Sequence, residues 1–154
     1  MKVIRWLNDR VLKPLLDLLR QGVTPRRLAL CVAIGIVVGN VPIFGISTAM
    51  CAIIALSFRL NLPAIQLVQA FMAPTQLLLI IPFVRLGEWI TRAPPQPLSI
   101  KEGLALLAQG IVPAVRILWS AIVHAGIAWL LIAPIAIYVF YKIFTPIFTR
   151  AVSK

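Results

Sequence analysis

Two stretches free of Lys, Arg, Asp and Glu, residues 28–58 and 60–84, are each broken near the middle by a proline, in Asn40-Val41-Pro42 and in Ala73-Pro74-Thr75. Inside hydrocarbon every backbone N–H and C=O must find a partner within the protein, so irregular backbone is tolerated only where protein or a water-filled cavity shelters it. Two interruptions in successive apolar segments therefore predict helices broken at membrane depth, the arrangement from which transporters build binding sites. Proline is also tolerated in plain membrane helices, so the breaks constrain the fold more tightly than the function.

A soluble domain is a poor alternative. Of 154 residues 61% are hydrophobic and only 12% charged, and the mean hydropathy of +1.00 implies more apolar surface than such a domain can bury. About 20 apolar residues cross a hydrocarbon core of about 30 Å. Residues 60–84 and 117–141 are long enough to span, and residues 28–58 are too long for one straight crossing. The formal charge of +11 does not call for nucleic acid. Seven of the fifteen cations fall in the first 27 residues (Lys2, Arg5, Arg10, Lys13, Arg20, Arg26 and Arg27), where a basic flank ahead of the first membrane segment holds the N-terminus in the cytoplasm. Lys2, Arg5, Arg10, Lys13, Arg26 and Arg27 are the expected contacts to anionic lipid headgroups.

The expected fold class is all-α: a polytopic integral membrane protein with two proline-broken helical units, re-entrant or short tilted crossings, one full C-terminal span and interfacial amphipathic helices. Residues 1–22 carry Val3, Ile4, Leu7, Val11, Leu15, Leu18 and Leu19 at helical spacing with charges on the other faces, a basic amphipathic helix in the interface that is retained rather than cleaved. Pro14 predicts a kink or restart within it. A single membrane domain follows over residues 23–145. Thr24-Pro25 has the order of a cap and first helical residue and opens the first broken unit, residues 25–59; Asn61 and Pro63 open the second, residues 61–87, in the same way. Residues 91–115 form a proline-rich linker and a surface helix opened by Ser99 and Glu102 as a capping box. Residues 117–141 form the C-terminal span, with Trp119, Trp129, Tyr138 and Tyr141 as amphipathic aromatics, and residues 146–154 a tail. This topology leaves Lys142, Arg150 and Lys154 outside, against the usual charge bias.

Gln21-Gly22-Val23-Thr24-Pro25, the Val41-Pro42-Ile43-Phe44-Gly45 core of residues 35–45, Thr48, Arg59-Leu60-Asn61 and Pro74-Thr75 resemble the bacterial membrane family of domain of unknown function 2062 over about residues 20–145. Ala73 stands where that pattern has asparagine, which removes one polar group from the second break. The resemblance implies a small multi-pass protein of the bacterial inner membrane and supplies no activity.

Chemistry is sparse. One histidine and four acids give no recognisable Ser-His-Asp triad and no paired carboxylates within a membrane segment, so no enzyme is expected. Cys31 and Cys51 lack the neighbours of a metal site, and no cofactor or metal is expected. His124, an ionisable group within the last apolar window, is a functional candidate with a structural alternative, a hydrogen bond between helices. The polar groups near the breaks are the other candidate: Asn40, Ser47 and Thr48 around Pro42 and Gly45, then Gln66, Gln69, Thr75 and Gln76 around Pro74. Helices restarting after Pro42 and Pro74 would present free N–H groups to an anion guided in by Arg59 or Arg85, unless these polar groups merely satisfy backbone freed by proline. The expected function is binding or translocation of an anionic amphipathic substrate such as a lipid-linked phosphate by a homo-oligomer. The alternative is a membrane scaffold or assembly factor that binds a partner or anionic lipid through its basic N-terminal helix.

Overall fold

The computed structural model describes residues 13, 14, 17, 23–43, 45–95 and 110–152. Among these the chain forms α1 (Pro25–Gly39), α2 (Ile46–Ser57), α3 (Leu62–Phe71), α4 (Ala73–Thr91) and α5 (Ile111–Val152), and no strand. Of the expected interfacial helix, Lys13, Pro14 and Asp17 have helical backbone; its remainder, with Lys2, Arg5 and Arg10, lies outside the described residues. So do Phe44, residues 96–99 of the linker, the capping box and the surface helix from residue 99 to 109.

Local chemistry sets the helix starts. The Thr24 hydroxyl accepts the Arg27 N–H at 3.4 Å with Pro25 in the first turn of α1, and Asn61 Oδ1 accepts the Ala64 N–H at 2.9 Å with Pro63 in the first turn of α3. Both are the expected caps. The first break occupies residues 40–45 and ends on Gly45 at φ 83°, a left-handed turn that glycine adopts without strain, so α2 starts at Ile46 rather than directly after Pro42. The second break is a single residue, Met72, where the axis turns by 66°. Pro74 lies inside the first turn of α4 instead of ahead of it, because a proline in that position gives up an N–H that would have no intrahelical partner anyway.

Glycine contacts fix the directions. Gly35 lies against Ile65 and Val68, and Gly39 against Gln69 and Met72, so α1 and α3 run side by side in the same direction. Between them α2 runs back, with Ser47 beside Gln69 and a short connection through Arg59, whose φ of 51° and the Leu60 N–H to Ala55 C=O bond of 2.8 Å close the turn into α3. The start of α1, the end of α2 and the start of α3 therefore share one end, with Arg26, Arg27 and Arg59 exposed there. Both breaks share the other end. Helices α1 and α2, about 22 and 18 Å long at 1.5 Å per residue, thus form an antiparallel hairpin, a geometry shared by the re-entrant loop and the pair of short tilted crossings expected for the first unit.

Helix α5 joins everything. Its C-terminal half packs on α1, with Phe148 in the same buried cluster as Leu28, Val32 and Val37. Its N-terminal half packs on α4, with Ala121 and Ala125 around Val84. At 42 residues, about 63 Å, it overruns residues 117–141 at both ends. Arg116, Lys142 and Arg150 ride on it, and Pro134 and Pro146 lie within it; Lys142 sits 5.5 Å over the Tyr138 ring. The stretch Val115–Ala151 is long and apolar enough to cross a membrane, and Leu62–Phe71 with Ala73–Thr91 qualifies as a second, bent, span. Large apolar side chains cover the outside, among them Ile53, Leu56, Leu78, Leu130 and Ile135.

Candidate functional site

The parallel course of α1 and α3 brings the two breaks together. Gln76, on the first turns of α4, donates through Nε2 to the Val41 carbonyl at 2.7 Å, and Gln69 donates to the Ser47 hydroxyl at 3.1 Å. Asn40 donates through Nδ2 to the Ile36 carbonyl at 2.7 Å. From α5, Trp129 donates through Nε1 to the Val37 carbonyl at 3.0 Å, which also takes the Asn40 N–H at 3.2 Å. The last carbonyls of α1 and the first of the turn, which a helix end leaves without partners, are thus met by side chains from α4 and α5 and by Asn40 itself. Among the described residues one group is left over: Asn40 Oδ1 is buried and has no hydrogen-bond partner.

Beside this cluster lies a crevice of about 240 Å³ between the end of α1 and the facing parts of α4 and α5. Ile36 and Asn40, Thr75 and Phe83, and Trp129 and Ala136 form its three walls, with Met72 at the junction of α3 and α4. Among the described residues its wall contains no charged side chain.

The expected site residues are therefore only partly gathered. Asn40, Gln69 and Gln76 all lie around the first break, bonded to the Ile36 carbonyl, the Ser47 hydroxyl and the Val41 carbonyl, with Pro42 buried in the turn and Thr75 on the crevice wall. Thr48, Gly45 and Pro74 are exposed around the breaks. Arg59 stands at the opposite end of α2, and Arg85 is paired with the buried Glu88 at 2.9 Å on α4; neither lines the crevice. His124 stays apart as well. Its Nδ1–H donates to the Ser120 carbonyl one turn back, at 2.6 Å, and its backbone abuts Gly87. Trp129, one of the amphipathic aromatics of the last apolar window, is buried, 7% exposed. A tryptophan midway along an apolar window, far from either headgroup region, is the signal for it, since a buried indole N–H seeks an acceptor.

The arrangement offers apolar surface and one unused acceptor, Asn40 Oδ1, beside the hydrogen-bonded side chains of Gln69 and Gln76. A family model described as uncharacterised proteins conserved in bacteria, domain of unknown function 2062, matches residues 8–154. No curated protein and no solved structure matches the chain.

Proposed function

Since the chain belongs to this bacterial family, we propose that it is a multi-pass protein of the cytoplasmic membrane that binds, and moves within or across the bilayer, an amphipathic lipid-like substrate. The observation that carries this reading is the apolar crevice at the paired breaks, with Asn40 in its wall. Binding sites in lipid are expected where irregular backbone is sheltered at depth, and a crevice walled by three helices with few polar groups is the usual form of a small-molecule site.

The apolar exterior supports placement in a membrane. Monomeric proteins in water rarely expose so many large apolar side chains. In the topology we propose, α1 and α2 form a re-entrant hairpin, α3 and α4 a bent crossing, and α5 returns. The C-terminus then joins Arg26, Arg27 and Arg59 on the cytoplasmic side. Arg150, which the sequence alone left outside, comes to lie with Arg26, Arg27 and Arg59, while Arg92 and Arg116 fall on the other side, so labelling rather than charge bias decides the topology. Ala151→Cys, in a background with Cys31 and Cys51 replaced by Ala, is expected to react with a membrane-impermeant maleimide in inverted vesicles and not in intact spheroplasts. The reverse pattern refutes this topology.

Arg26, Arg27 and Arg59 lie about 20 Å along α1 from Asn40. They suit attraction of anionic lipid to the cytoplasmic face, while the crevice takes the apolar portion of the substrate. Purification in native-lipid nanodiscs with mass spectrometry of the retained lipids tests the reading. The wild type should enrich a lipid that Ala136→Phe, which fills the crevice, loses. Bulk membrane composition in both would remove the binding site and leave the scaffold role, which relies on Arg5, Arg10 and Lys13.

A further inference from the structure

Resting on the reading of the crevice as a lipid site, we propose that its occupant is an uncharged single-chain lipid with a free hydroxyl, the chain against the apolar walls and the O–H donating to Asn40 Oδ1. The orientation of the amide follows from its one hydrogen bond. Only the NH2 group can donate to the Ile36 carbonyl, so the oxygen is the atom left without a partner. Native proteins seldom leave a buried acceptor in that state, and a small bound partner such as a water is one of the recognised ways in which it is met.

An acceptor selects for a donor. A deprotonated phosphate or carboxylate presents only lone pairs to Oδ1, and among the described residues the wall carries no Lys, Arg or His to balance its charge. An ammonium group would donate, yet it would sit in apolar surroundings with no counter-charge. A hydrocarbon fills the space and leaves the acceptor unpaired. A hydroxyl meets both conditions, one proton to donate and no net charge, and the Thr75 hydroxyl on the α4 wall can donate to the ligand's oxygen in return. The crevice volume of about 240 Å³ falls below the range of about 300–1,000 Å³ common for drug-sized ligands, which favours one chain over two. Oδ1 is covered in this conformation. An incoming hydroxyl therefore requires a neighbouring side chain to shift, and Met72, which packs on Gly39 and lines the same crevice, is the most flexible of the lining residues.

Photo-crosslinking of the full-length protein in phosphatidylcholine nanodiscs with a diazirine analogue of farnesol tests the proposal, with farnesol, farnesyl methyl ether and farnesyl phosphate as competitors. Labelling is expected at Leu79, Phe83 and Ile132, with Ala136→Phe abolishing it. Farnesol should compete about tenfold better than the ether or the phosphate, the ratio that one neutral hydrogen bond gives, and Asn40→Ala should reduce the advantage over the ether to about onefold. If that variant does not fold, the wild-type comparison of the three competitors still decides. Equal competition by farnesol and its ether overturns the hydroxyl assignment while leaving a chain-binding crevice. Stronger competition by the phosphate overturns it in favour of an anionic ligand. Failure of every probe to label the crevice overturns the lipid-site reading itself.

Discussion

Gly87→Ala is expected to destabilise the protein by about 2–3 kcal/mol, within the cost of forcing extra atoms into a packed site, whereas Gly126→Ala should leave stability unchanged or raise it slightly. At Gly87 an added Cβ would collide with the carbonyl group of His124 on α5. The colliding atoms are backbone, so no side-chain rotation relieves the clash, and α4 and α5 must separate where Val84 packs between Ala121 and Ala125. At Gly126 an added Cβ meets nothing within 4 Å, and alanine has the better helix propensity by about 1 kcal/mol. Both substitutions gain the same propensity, so their difference isolates the helix contact. Thermal unfolding in detergent, followed by tryptophan fluorescence, measures it. Equal midpoints would mean that the two helices do not approach closely at Gly87, and the small-residue contact that lets membrane helices pack tightly would have to lie elsewhere.

Gly87 also marks a limit of reading the sequence. It lies beyond the apolar window of residues 60–84 and has no motif around it, and its role depends on a partner 37 positions away, His124. Features written in neighbouring residues were legible: the caps at Thr24 and Asn61, the prolines that follow them, and the two interruptions all rest on backbone chemistry within one turn. The ends of α5 were not. Arg116 and Lys142 bounded the uncharged window, but a charge does not end a helix, and its long side chain can reach toward polar surroundings while the backbone continues. The same window shows how little an unusual residue says by itself. His124 and Trp129 are both conspicuous in an apolar span; the histidine bonds to its own helix, while the tryptophan reaches α1. Which of them belongs to the breaks depends on the rotation of α5 against α1 and α4, and no local pattern encodes that. The pairing of Gln76 with Val41 across 35 positions is of the same kind. A glutamine in an apolar stretch signals a buried partner without identifying it.

That pairing is the stronger test of how the breaks are held. Gln76→Met keeps the length and much of the volume of the side chain and removes the donor, so the Val41 carbonyl loses its side-chain partner in the interior. An acceptor stranded in this way costs about 1–3 kcal/mol, and in low-dielectric surroundings the upper part of that range applies. Trp129→Phe removes a donor too, but the Val37 carbonyl keeps the Asn40 N–H, so the lost hydrogen bond should cost only about 1 kcal/mol, with packing loss added for the smaller ring. The order of effects separates two accounts of the break. If the turn at residues 40–45 is held by α4, Gln76→Met lowers the unfolding midpoint more than Trp129→Phe and also exposes the turn, which an Ile43→Cys reporter detects as faster maleimide labelling. If α5 holds it, Trp129→Phe is the more damaging and Ile43→Cys labelling is unchanged by Gln76→Met. The first outcome is expected, because Gln76 is buried with its amide on the turn itself, whereas Trp129 meets α1 one residue pair before the helix ends. A break anchored by α4 also ties the bend at Met72 to the crevice beside it: any motion that changes the 66° angle must move Gln76, and with it the backbone next to Asn40.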